Sequence, residues 1–151
     1  MPAVSIDPSI EACQALVNRI NTGGAFALDV TATYTEQIID PLEEINELRI
    51  DVVTVESETL VETLAVEDRT SHQIRVWIRA KVNDFTNDTI DPLKKIRTQV
   101  WQRLNNFDSA NGRVKVQRCD NENQEEPVKA ALRNAGLFVA SVILRVEVEA
   151  S

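Results

Sequence analysis

Apolar residues along the chain recur at helical spacing in some segments and at alternating spacing in others. Ile10, Cys13, Leu16, Val17 and Ile20 fall three and four apart, which predicts a helix from Asp7 to about Asn21. Asp7 suits its N-cap, Pro8 its first turn, and Gly23-Gly24 its end. Phe26, Leu28, Val30, Ala32 and Tyr34 then alternate with smaller or polar residues, predicting a strand from Ala25 to Tyr34. A Pro41-containing connection over 35–47 leads to a second strand over about Leu48–Glu56. There Val53 and Val55 change parity and imply a bulge or burial on both faces. Residues 57–70 fit either a helical turn or a long hairpin arm.

The third predicted strand is Gln73–Val82. Ile74, Val76, Ile78, Ala80 and Val82 face one way, and Gln73, Arg75, Trp77, Arg79 and Lys81 face outward, cationic around one large aromatic. A second helix is expected from Asp91-Pro92 to about Asn106, with Leu93, Ile96, Val100 and Leu104 on its apolar stripe. Asn111-Gly112 marks a turn, followed by a strand over Arg113–Cys119, a short helix over Val128–Asn134, and a strand over Leu137–Glu149. The run LFVASVIL is apolar on both faces, which places the last strand inside the sheet. The order defines an α+β fold: a mostly antiparallel four- to five-stranded sheet with two main helices packed on one face. At 151 residues the chain is read as a single domain, 1–151.

Charge changes this picture more than composition does. The net charge is −8, which argues against adhesion to nucleic acid. Residues 36–68 hold eleven acids and one base, whereas residues 69–118 hold eleven bases and four acids. Such blocks pair internally or between copies of the chain. No apolar run approaches the roughly 20 residues of a membrane span, and MPAVSIDPSIEAC lacks the pattern of a signal peptide. Cys13 and Cys119 are expected as free thiols.

Candidate chemistry is sparse. The lone histidine, His72, reads as a solvated turn residue at the mouth of the third strand. No metal-ligand spacing, nucleophile motif or phosphate loop is present, so no catalytic residue, metal or cofactor is expected. Arg75-Val-Trp77-Ile-Arg79 could stack on bases, but the overall acidity favours a face covered by a helix or a neighbouring subunit.

One resemblance covers most of the chain. It comprises a glycine-ended first helix, FALDVTATYTEQIIDPLEEINELRIDVVTVESETL, a long hairpin into HQIRVWIRAKV, a helix and a last apolar strand. This order resembles the tail-terminator (tail-completion) neck proteins of long-tailed bacteriophages. The resemblance implies a non-enzymatic virion protein that is assembled in the host cytoplasm and forms a ring, hexameric in the family. The ring would cap the tail tube and meet the head connector or head-closure protein, with DNA passing through its channel unbound. On that reading Glu56, Glu58, Glu62, Glu67 and Asp68 are candidate channel or subunit-interface acids. Arg75, Trp77, Arg79 and Lys81 form the candidate basic and aromatic interface. The rivals are a head-closure or other connector ring, a tube-like subunit, or a small cytosolic ligand-binding or regulatory α+β domain.

Overall fold

A computed structural model describes residues 7–35, 48–60, 68–122 and 126–150. The elements run α1 (Pro8–Thr22), β1 (Ala32–Tyr34), β2 (Arg49–Leu60), β3 (Asp68–Lys81), α2 (Asn87–Leu104), β4 (Val114–Glu122), α3 (Glu126–Asn134) and β5 (Leu137–Ala150). The sheet has five strands in the order β1-β2-β3-β5-β4. Among the described residues only the β1–β2 pair is parallel, and the other three pairs are antiparallel. The fold is the expected α+β sheet, and β5 lies inside it between β3 and β4.

Alternation along the strands puts one apolar layer under α1 and α2. Ile50, Val52, Ile74, Val76, Ile78, Val142, Leu144 and Val146 are fully or almost fully buried with Leu16 and Ile20 of α1 and Ile96, Val100 and Leu104 of α2. The helices cover this face because their buried residues recur three and four apart, one stripe on each. Truncating one such residue to alanine costs about 2–5 kcal/mol.

Four local expectations are corrected. The strand expected over Ala25–Tyr34 is only Ala32–Tyr34. Side chains from the helices take up the backbone ahead of it: Gln99 accepts from the Ala27 amide at 3.1 Å, and Arg103 donates to the Gly24 carbonyl at 2.9 Å. At Ala32 itself, the Asn21 amide group accepts from N–H at 2.7 Å and donates to C=O at 3.1 Å. The second helix begins at Asn87, ahead of Asp91-Pro92, and carries Pro92 inside it. Asp84 explains the earlier start, accepting from the Thr86 amide and from the Thr86 and Thr89 hydroxyls. His72, expected in a solvated turn, is a buried residue of β3 whose Nε2 lies 2.8 Å from the Thr70 hydroxyl. Arg79, expected on an outward face, is 2% exposed.

Of the two readings of the valine parity change, a bulge is present between Thr54 and Glu56, and the adjacent Val52 and Val53 are both buried. Val55, at the shift, is exposed. A second register shift interrupts β4 between Val116 and Arg118. Residues 107–109 run along the start of β4: Ser109 donates to the Val114 carbonyl at 2.8 Å, and Val116 donates to the Phe107 carbonyl at 2.9 Å.

Candidate functional site

The sheet face opposite α1 and α2 is polar. Asp51 of β2 and Arg79 of β3 sit diagonally across neighbouring strands, because Asp51 is opposite Trp77 and Arg79 is opposite Arg49. Arg79 Nη2 donates to Asp51 Oδ2 at 2.6 Å, with both side chains nearly inaccessible. The other carboxylate oxygen takes longer contacts from Thr33, Thr35 and Arg49. Arg79 Nε and Nη1 are buried without a hydrogen-bond partner. Both side chains are nearly inaccessible to solvent, so removing either one would leave the other charge buried and unpaired.

Further along this face, Arg75 Nη2 donates to Glu122 Oε2 at 2.8 Å, and the Ser141 hydroxyl donates to Glu122 Oε1 at 2.9 Å. The Arg75 guanidinium also lies 5.1 Å from the Trp77 ring centroid. Lys81, at the end of β3, is exposed. Of the four residues expected on a basic and aromatic face, Arg75, Trp77 and Lys81 thus reach the surface at least in part and Arg79 does not. The periodicity placed all four correctly on one side of the strand. It could not show that a carboxylate on β2 would bury one of them.

Three of the candidate acids lie toward the other end of the β2–β3 pair. Glu56 lies across from Gln73, Glu58 across from Ser71, and Asp68 across from Ala150 of β5. Glu62 and Glu67 lie outside the described residues, as does the 36–47 connection. Strand pairing persists to Leu60 opposite Arg69, so residues 57–60 and 68–70 are hairpin arm, not helix.

Among the described residues no group of three or more His, Cys, Asp or Glu side chains stands close enough to hold a metal ion. No helix among them is long and apolar enough to cross a membrane. Sequence reasoning missed a cleft where α2, α3 and the first residues of β5 meet, with a volume of about 490 Å³. Its lining comes from residues 85–97 and from the stretch 122–140, two regions brought together only by the fold, so no local pattern announces it.

No family model matches the chain, and no curated protein matches it. Among solved structures it is similar to a chain in the virion of a native gene transfer agent particle, with 14% identity and a TM-score of 0.43 over 94% of this chain and 90% of that one. It is also similar to the sheath/tube terminator of an extracellular contractile injection system in its extended state. There the identity is 11% and the TM-score 0.45, over 100% of this chain and 58% of that one.

Proposed function

We propose that this chain is a structural subunit of a phage tail and neck, a tail-terminator-like protein. Its copies close into a ring, six by the family resemblance, on the end of the tail tube. The ring meets the head connector and lets DNA pass without specific binding. The polarity of the sheet is the observation that supports this reading most. The acid-rich arm lies at one end of β2 and β3, and the strand ends leading to the cation-bearing α2 and α3 lie at the other. A surface of one sign at one end and of the opposite sign at the other suits a heterologous contact, the kind that closes rings. Acids left outside that contact would repel phosphates along a channel.

The test is the mass of the full chain in solution by light scattering, with negative-stain images alone and after mixing with tail tubes. Closed rings that seat on tube ends are expected. A chain that stays monomeric or dimeric up to hundreds of micromolar overturns the ring. Reversing Glu62, Glu67 and Asp68 to Lys should impair assembly, and unchanged assembly in that variant removes the acids from the contact.

A further inference from the structure

The cleft between α2, α3 and β5 mixes cationic with apolar side chains. Lys94, Arg97 and Arg133 line it together with Phe85, Leu132 and Phe138. Its one lining carboxylate, Glu122, is already committed through both oxygens to Arg75 and Ser141. Arg133 packs over the Phe85 ring at 5.7 Å. Among the described residues neither Lys94 nor Arg97 forms an ion pair. Arg97 Nε is moreover buried with no acceptor.

The cleft lies at the Lys81 end of the sheet, since Leu137, which lines it, pairs with Lys81. Leu60 and Asp68, the described residues that flank the rest of the stretch ESETLVETLAVED (56–68), lie at the opposite end, where Leu60 pairs with Arg69. The 14 residues of β3 separate the two ends by roughly 40 Å. The arm carries five carboxylates and no base, interleaved with Leu60, Val61, Leu64 and Val66. That combination of acids and apolar residues complements a cleft lined by cations, phenylalanines and leucine.

We infer that the cleft is the acceptor for the 56–68 arm of a second copy of this chain. This deepens the ring reading by naming both halves of the contact, and it rests on that reading for its biological setting. Copies joined this way repeat one head-to-tail operation, with the same two surfaces used at every junction.

The full chain is titrated with a fluorescein-labelled peptide of sequence ESETLVETLAVED, and binding is read by anisotropy. The peptide should bind, and K94E/R97E should weaken it about tenfold or more. Arg118→Glu, outside the cleft, should leave it within about twofold. Circular dichroism checks that K94E/R97E is folded, and the milder K94Q/R97Q, with an intermediate loss, serves if it is not. No peptide binding, equal binding to the wild-type and cleft variants, or equal loss with Arg118→Glu each overturns the inference. In full-length protein, K94E/R97E should abolish assembly, and E62K/E67K/D68K added to it should restore assembly in part. A wild-type chain that binds the peptide through the cleft yet never closes a ring keeps the acceptor site and removes the ring.

Discussion

Arg79 and Asp51 form an ion pair of 2.6 Å inside a sheet, with Arg79 Nε and Nη1 left without acceptors. Removing one partner strands the other charge where water cannot reach it. Asp51→Ala and Arg79→Met should each cost about 3–5 kcal/mol in chemical denaturation. Asp51→Leu with Arg79→Met should cost much less than the two single changes together. An additive double variant would show that the two residues do not act as a pair.

Arg103 ties the end of α1 to α2. It donates to the Ile20 carbonyl at 2.6 Å and the Gly24 carbonyl at 2.9 Å, and its guanidinium stacks 3.9 Å from the Phe26 centroid. Gly23 leaves the room: a Cβ there would stand 2.5 Å from Arg103 Nε. Arg103→Ala should cost about 1.5–3 kcal/mol. Gly23→Ala should cost a similar amount by displacing the same side chain, since Gly23 has an ordinary φ of −85°. The double variant should be little worse than either single change, and full additivity in thermal or denaturant melts would separate the two effects.

Burial pushes the Cys119 thiol up to about 12, with the Asp120 carboxylate adding to the shift. Burial also raises Cys13, against an opposing hydrogen bond from Thr54. Thiolate is the reactive form, so a disulfide-exchange reagent at about pH 8 should leave both cysteines unmodified in the folded chain and label both in guanidinium. Fast labelling of the folded protein would contradict their burial.

Burial holds His72 below its ordinary 6.5, with the Asp7 carboxylate opposing the shift. The unfolded chain therefore takes up the proton first as pH falls. The contribution of His72 to stability is complete above about 6.5 and is lost as pH drops from there through the folded value. The stability difference between wild type and His72→Gln should be level above pH 7 and shrink on acidification. A difference independent of pH would show that the imidazole stays neutral, or charges equally, in both states.

The alternating and helical periods were enough to place the element order, the sheet class and the interior position of β5. They failed where side chains displace local preference. Phe26, Leu28 and Val30 alternate as a strand should, yet Gln99, Arg103 and Asn21 claim the neighbouring backbone, and those residues come from α1 and α2. Asp91-Pro92 carries a strong start signal, but the turn that Asp84 forms with Thr86 and Thr89 lies upstream and starts the helix earlier. Arg79 was misplaced because a residue's own period fixes its side of a strand, while a carboxylate on another strand decides whether that side is wet. His72 was misplaced because β3 begins at Asp68 rather than Gln73, which puts His72 in phase with buried Ile74 and Val76. The cleft was illegible because Arg97, Phe85, Arg133 and Phe138 meet only after the chain has folded.

Asn21 has a further consequence. Its amide binds both backbone groups of Ala32 on one margin of the sheet, as residues 107–109 do for Val114 and Val116 on the other. A margin whose donors and acceptors are already taken at these points cannot template a foreign strand there. Backbone recognition is indifferent to sequence, so leaving it open would invite any extended peptide. With those positions closed, recognition by this chain falls to side chains, and side chains can tell kin from stranger.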